Sequence, residues 1–179
     1  MAAVPVVTLA AEQAAKHRIA VETRKTCPYH ASRAIDQCAD VGFEMVICTF
    51  GSDFNMLSTD PAYIARIEDD FEYAHSKGIA VVIMEPVKGG TLANPPAEAV
   101  EVMNASPVKR KPVDWALQFL WNKPEVATVL SGMSDMQQVV ENCDSADRSG
   151  IDSLSPEENK VITRLAEIYR RKILVPCTT

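Results

Sequence analysis

Two glycine-bearing turns, each at the end of an apolar run, are the residues of this sequence best suited to chemistry. Residues 80–90 read AVVIMEPVKGG, and residues 126–142 read VATVLSGMSDMQQVVEN. Glycine lets backbone N–H groups approach an anion, and a helix beginning at Ser134 would add about half a positive charge at its N-terminus. The two turns therefore predict phosphate-binding loops. The glycine pattern alone also fits an ordinary strand-to-loop turn at Gly89 and Gly90 and a simple helix cap at Ser134.

The elements that must position these turns alternate between short apolar runs and segments with helical spacing, which is typical of βα units with strands buried on both faces. We predict an α/β fold of four such units in a single domain over residues 1–179. The predicted strands are residues 18–21, 44–50, 79–84 and 126–130; the predicted helices are residues 32–39, 61–77, 112–121, a helix beginning after Ser134, and a final helix at 156–172. Periodicity leaves two architectures open, an open doubly wound sheet and part of a closed (β/α) barrel.

Local residue chemistry sets the predicted helix ends. Asp60 precedes Pro61 as a capping residue, and Gly78 is expected to end the same helix in the left-handed conformation. Ser134 with Gln137, and Ser155 with Glu158, have the spacing of capping boxes.

The segments between these ends give two further predictions. Residues 94–112 contain four prolines and are expected to lack regular structure. In the helix at 112–121, an apolar stripe is expected to face the sheet. Its members are Val113, Ala116, Leu117 and Leu120, widened by Trp115 and Phe119.

Composition narrows the class of protein. The chain has 179 residues, 47% of them hydrophobic, and a net charge of −6; a complete eight-stranded barrel usually needs about 250 residues. Basic residues are scattered apart from Lys109, Arg110 and Lys111, which argues against nucleic-acid binding. The apolar start has no basic region and is too short to span a membrane. Five separated cysteines fit reduced thiols in a cytoplasmic protein, and we expect no metal site.

The order MEPVKGGTLA, DWALQFLWNKPEVATVLSGM and SDMQQVVEN resembles the C-terminal half of the aldo-keto reductases, and within them the branch with a C-terminal iron–sulfur tail. The likeness covers residues 42–177, and residues 1–40 match the family poorly. It implies a partial TIM-type barrel, the last four βα units plus a C-terminal helix, in which NADP or NAD lies across the strand ends and delivers hydride to a carbonyl substrate.

The resemblance also assigns cofactor-binding roles to individual residues. The loop beside the pyrophosphate would be formed by Glu85, Pro86, Val87 and Gly89, and the second phosphate loop by Ser131, Gly132, Met133 and Ser134. The adenosine end of the cofactor would be held by Gln138, Glu141 and Asn142. Phe50 would stack on the nicotinamide. Lys88 could neutralise a phosphate or be a solvated loop charge, and the second interpretation is preferred.

The family's Asp, Tyr, Lys and His tetrad belongs to the half that this sequence does not resemble, so no catalytic residue is expected in this chain. Lys25, Tyr29, His30 and Asp36 lie close in sequence but are interpreted as surface residues. Glu22-Thr23-Arg24 replaces the turn that orients the carboxamide in relatives. A single Cys177 cannot hold an iron–sulfur cluster, which needs about four thiolates.

Two classes of function remain. The chain is either the cofactor-binding half of a reductase, completed by an N-terminal half or by a second copy in a homodimer, or a truncated, catalytically inactive half barrel that at most binds nucleotides. A flavodoxin-like open sheet that uses the same turns for another phosphate ligand is a third possibility.

Overall fold

The computed structural model of the chain describes residues 19–21, 35–36, 40, 45–48 and 61–172. Its strands and helices, numbered in chain order, are β1 (Ile19–Val21), β2 (Met45–Cys48), α1 (Pro61–Ser76), β3 (Ala80–Met84), α2 (Ala97–Ala105), α3 (Pro112–Trp121), β4 (Val126–Leu130), α4 (Met136–Asp147) and α5 (Pro156–Lys172), with a short 3-10 helix at Thr91–Ala93 between β3 and α2. Ile35 and Asp36 are also helical.

The four strands form one parallel sheet in the order β1-β2-β3-β4. Each strand therefore pairs with the strands next to it in the sequence, as consecutive strands of a (β/α) barrel do. A doubly wound sheet reverses its strand order at a switch point, and the four described strands contain no such reversal. The topology thus favours the barrel alternative over the flavodoxin-like one.

Most predicted element bounds are confirmed. The structure places α3 and β4 where the sequence predicted them, and α5 as well. Gly78 has a φ of +70° after the last turn of α1, as predicted for a left-handed C-terminal residue. Ser155 and Glu158 form the predicted capping box: the Ser155 amide donates to Glu158 Oε2 at 3.0 Å, and the Glu158 amide donates to Ser155 Oγ at 3.2 Å.

One helix was not predicted. Residues 94–112 were expected to lack regular structure, yet Ala97–Ala105 forms α2. Pro96 stands at the N-cap, where a proline costs nothing because the amides of the first turn have no partner within the helix. Ala99 and Met103 then pack one turn apart into the core.

The core divides into two clusters. The larger one, the helix-side cluster, joins α2, α3 and α5 and includes Trp115, Leu165 and Ile168, each of which is fully buried. The smaller one, the sheet-side cluster, lies between α1, β3 and the C-terminal end of α3, where Leu120 packs. The stripe of α3 was expected to face only the sheet; instead Ala116 belongs to the helix-side cluster and Leu120 to the sheet-side cluster. The helix is buried on several faces because α2 and α5 cover the side that the prediction left open.

A polar network joins α3 to α4 and α5. Arg110 contacts Glu158 on α5 at 2.7 Å and Asp114 at 3.4 Å. Asp114 also accepts from the Ser145 hydroxyl of α4, and Gln118 Nε2 donates to the Ser145 carbonyl at 2.6 Å. Burial alone would raise the pKa of Glu158, but hydrogen bonds from Ser155 and Arg110 outweigh it and hold that pKa below the usual value.

Candidate functional site

The two predicted phosphate loops leave the sheet side by side. Met84, the last residue of β3, is paired in register with Leu130, the last residue of β4. Neighbouring strands lie about 4.8 Å apart, so the loops that begin at Glu85 and Ser131 emerge together at the C-terminal edge of the sheet. In parallel α/β folds this edge carries the ligand sites.

The first loop is held by a series of tight turns. Glu85, Lys88, Gly89 and Gly90 all have positive φ. Backbone hydrogen bonds from Lys88 to Glu85 (3.0 Å) and from Gly90 to Val87 (3.1 Å) close successive turns. Such a conformation is costly for side chains with a Cβ, so its adoption by both Glu85 and Lys88 indicates a loop whose shape is fixed by its surroundings.

The side chains of this loop divide between the core and the surface. Pro86 is buried and Val87 packs against the helix-side cluster, so both anchor the loop. Glu85 and Gly89 are exposed, and a Cβ added at Gly89 would meet nothing within 4 Å. The interpretation of Lys88 as a solvated charge was wrong, because its side chain is buried. The surface that a ligand can reach is therefore the backbone around Gly89.

The second loop is open to solvent. Gly132, Met133 and Ser134 are exposed, and a Cβ added at Gly132 would meet nothing within 4 Å. Ser131 is half-buried, and its hydroxyl accepts a hydrogen bond from the Asn142 amide at 3.2 Å. This contact ties the loop to the helix that follows it.

The N-terminus of α4 is capped one residue later than predicted. Asp135, rather than Ser134, is the N-cap, and its carboxylate accepts from the Gln138 amide at 2.9 Å. Gln138, rather than Gln137, reaches back to the Ser134 amide at 2.9 Å. Ser134 and Asp135 both have a glutamine three residues later, and the carboxylate is the stronger partner for the helix N-terminus. The end of α4 therefore already carries a negative charge where an anion was expected.

The predicted adenosine-binding residues of α4 have partners within the chain. Glu141 accepts from Lys111 Nζ at 2.6 Å and from Gln137 Nε2 at 2.8 Å. The hydrogen bond from Lys111, with that from Gln137, lowers the pKa of Glu141. A ligand at this position would meet an ionised carboxylate held by a lysine.

A cavity of about 230 Å³ lies between the start of α3 and α4, next to Glu141 and Asn142. Four cationic side chains and three carboxylates line it: Lys109, Arg110, Lys111 and Arg148 with Asp114, Glu141 and Asp144. The sequence shows the basic cluster at 109–111 but not where it lies in the fold. Lys111 contacts Glu141 of α4, thirty residues further along the chain, and no local sequence pattern predicts that contact.

A tyrosine, a lysine and an aspartate meet at the opposite edge of the sheet. The Tyr73 hydroxyl donates to Asp36 Oδ1 at 2.5 Å, and Lys77 Nζ lies 3.7 Å from the same oxygen. Interaction with Tyr73, and then with Asp36, raises the pKa of Lys77. These residues surround the end of α1, just before β3 begins at Ala80, so they are remote from the two loops.

A second cavity, of about 330 Å³, lies at this same N-terminal edge, where Lys123, Pro124 and Glu125 lead into β4. It is larger than the cavity beside Glu141 but lies at the end of the sheet where residues of this architecture serve stability. Phe50, Lys25, Tyr29 and His30 lie outside the described residues, as do Glu22-Thr23-Arg24 and Cys177.

No group of three or more His, Cys, Asp or Glu side chains among the described residues could hold a metal ion. No helix within that part of the chain is long and apolar enough to cross a membrane.

The fold is similar to solved aldo-keto reductases. The holo form of aldo-keto reductase AKR11C1 from Bacillus halodurans superposes with a TM-score of 0.54 at 23% sequence identity, over 78% of this chain and 48% of that one. The apo form of the same protein gives a TM-score of 0.57 at 20% identity, over 95% and 62%. The chain thus spans about half to three-fifths of these structures, and the likeness shows a shared fold. No protein-family model matches the sequence, and no curated protein matches it significantly.

Proposed function

We propose that this chain is the cofactor-binding half of an NAD(P)H-dependent, aldo-keto reductase-like oxidoreductase. The observation that carries the proposal is the pairing of Met84 with Leu130, which brings two glycine loops together at the C-terminal edge of a barrel-ordered sheet. The aldo-keto reductase fold supports the same assignment. When bound, the nicotinamide would supply the hydride for reduction of a carbonyl substrate.

In this proposal the pyrophosphate is held by loop backbone rather than by the end of α4. The Asp135 carboxylate already accepts from the Gln138 amide in the first turn of the helix, so a phosphate there would face a carboxylate. Gly89 and Gly132 offer accessible backbone instead, because neither has a neighbour in the space that a Cβ would take. The remaining loop residues, Glu85, Pro86, Val87, Ser131, Met133 and Ser134, shape and anchor the two loops.

The adenosine end would lie along α4 at Gln138, Glu141 and Asn142, beside the cavity lined by Lys109 and Lys111. Four cations against three carboxylates leave this cavity with a small excess of positive charge. Lys111 is exposed apart from its bond to Glu141 and can turn toward a phosphate on the ribose. We therefore infer a preference for NADP(H) over NAD(H). The stacking of Phe50 on the nicotinamide stays a prediction from the resemblance.

Reduction of a carbonyl also needs a proton donor close to the nicotinamide, at the C-terminal edge of the sheet. The described Tyr73 and Lys77 lie together at the other end of the sheet, where they cannot reach a cofactor on the two loops. That position favours the second candidate function, a half barrel that binds the nucleotide without catalysis unless a partner supplies the acid. The iron–sulfur branch of the family is supported by the sequence resemblance alone.

Fluorescence titration of the purified chain with NADPH and NADH tests the proposal. Gly132→Val fills the space above the second loop without a clash inside the protein, so it should weaken binding at least tenfold if the pyrophosphate passes there. Asn142→Ala should weaken it less, through the lost bond to Ser131. Asn159→Ala is the matched control, since Asn159 makes similar amide contacts to the loop before α5, away from the site.

Lys111→Ala tests the choice of cofactor. It should weaken NADPH binding while leaving NADH binding nearly unchanged. Absence of saturable binding of either nucleotide by the unmodified chain would refute the cofactor site. Binding without reduction of aldehydes or ketones would select the non-catalytic alternative.

A further inference from the structure

We infer that a second copy of this chain docks on the side of the molecule formed by β4 and α4, with its own β1 pairing to β4. We call this side the β4–α4 face; it comprises Val126–Leu130 and the stripe Met136, Val140 and Cys143. The inference rests on the proposed function, whose partner it identifies.

β4 is incompletely covered for a strand of a parallel sheet. Such strands are normally buried on both faces, whereas Ala127 and Thr128 are exposed and Leu130 is 46% exposed. Val126 and Val129 pack against the sheet-side cluster; they lie three residues apart, on either side of a register irregularity opposite Val81 and Val82, and the other three residues of the strand are the exposed ones. β4 pairs only with β3 among the described strands, so its outer edge offers a row of backbone groups for another strand.

The helix that follows β4 carries an exposed apolar stripe. Met136 is 73% and Val140 is 52% exposed, and Cys143 is exposed as well. These residues recur at helical spacing and so lie along one side of α4. The other side of the helix contacts α3 through Glu141 and Ser145. In a closed barrel the next βα unit would cover both features: its strand would pair with the edge of β4, and its helix would pack against the stripe of α4.

The direction of the strands and the length of the chain favour a second copy as the partner at the β4–α4 face. β1 is the opposite edge of the same parallel sheet, so a β1 placed beside β4 continues the sheet in the same direction. A twofold axis then pairs each β4 with the other copy's β1, so that the described strands of two copies form eight parallel strands with no free edge among them. One chain covers 48% of the holo and 62% of the apo reductase structure, so two copies supply at least the length of one barrel.

The experiment is sedimentation equilibrium of the full chain from low to high micromolar concentration, with Val140→Glu and its control Ile151→Glu. Ile151 is 62% exposed in the loop between α4 and α5, so the same charge there should not affect docking. We expect the unmodified chain and Ile151→Glu to approach twice the 19.6 kDa chain mass, and Val140→Glu to remain a monomer. Met136→Glu repeats the test if Val140→Glu does not fold by circular dichroism.

Maleimide labelling read out by peptide mass spectrometry provides a second measurement. Cys143 should react several-fold more slowly in the dimer than in the Val140→Glu monomer. A monomer at all concentrations, a dimer unaffected by either glutamate, or equal labelling of Cys143 in both states would overturn the inference. Nucleotide titration of the same samples separates the two proposals: a monomer that binds NADPH defeats only the dimer, and a dimer that binds neither nucleotide defeats only the cofactor site.

Discussion

The two sides of this molecule differ in how completely they are packed. On one side α2, α3 and α5 close around Trp115, Leu165 and Ile168, which are fully buried. On the other, the β4–α4 face exposes Leu130, Met136 and Val140. On the packed side the apolar side chains contact one another within the chain, whereas on the open side, where the second loop lies, they are left exposed. Of the two candidate loops, only the second thus lies on the open side, since Val87 anchors the first against the packed cluster.

The sharpest test of this contrast is a pair of alanine substitutions. Leu165→Ala removes a fully buried side chain and should lower the free energy of unfolding by about 2–5 kcal/mol. Val140→Ala on the exposed face should change the free energy of unfolding of the monomer by less than about 0.5 kcal/mol, so both variants are compared at a concentration low enough to keep the chain monomeric. Urea unfolding followed by circular dichroism measures both. Similar losses at the two positions would mean that the open face is part of the monomer's core.

The buried ion pair should matter more than an exposed one. Glu158→Ala leaves Arg110 largely buried without its closest partner and removes the α5 capping contacts; we expect a loss of about 2–4 kcal/mol. Glu167→Ala breaks the exposed pair with Arg164 and should cost no more than about 1 kcal/mol. Equal costs in urea unfolding would show that the polar network contributes little.

Alkaline pH should weaken the packed side. Burial raises the pKa of Tyr169 from 10.0 to about 12, so the neutral phenol is favoured in the folded state. The stability that the neutral phenol contributes is fully present below pH 10 and is lost as the pH rises toward 12. The free energy of unfolding should fall by about 2–3 kcal/mol over that range. Unfolding midpoints measured across that range should fall.

Tyr169→Phe should flatten that fall at little cost at neutral pH. Within the described part of the chain the Tyr169 hydroxyl has no hydrogen-bond partner, so its removal sacrifices no such bond there. A pH dependence that is unchanged in Tyr169→Phe would assign the alkaline transition to other groups.

The smallest expected effect is at the start of α4. Asp135→Ala removes the observed N-cap and should cost about 1 kcal/mol. Ser134→Ala should cost only a few tenths, because its backbone amide, rather than its side chain, makes the shorter contact with Gln138. The reverse order of the two costs in thermal unfolding would restore Ser134 as the cap.

The elements of the fold were predictable wherever one local signal dominated. Pro112 at a first helical position, the apolar run of β4 and the Ser155–Glu158 box each fix an element within a few residues. α2 was missed because four prolines around it suggested a loop, although a proline at the N-cap is compatible with a helix. The sequence did not determine whether Ser134 or Asp135 caps α4, since each has a glutamine three residues later.

The candidate site was less predictable than the fold. The two loops were found from glycines and strand ends, since parallel strands bring such ends to one edge. Lys111 against Glu141 could not be anticipated, because it depends on how α3 packs against α4. The burial of Lys88 likewise depends on the tertiary position of its loop rather than on its polar side chain.

Hydrogen–deuterium exchange of the chain with and without saturating NADPH would locate the cofactor. A cofactor held at the ends of β3 and β4 should slow exchange in peptides that cover residues 85–91 and 131–142, the two loops and the start of α4, with no change in the loop at 149–155 or in α5. Protection confined to the N-terminal edge around Lys77 and Lys123, or no protection at all, would contradict a cofactor site at the ends of β3 and β4.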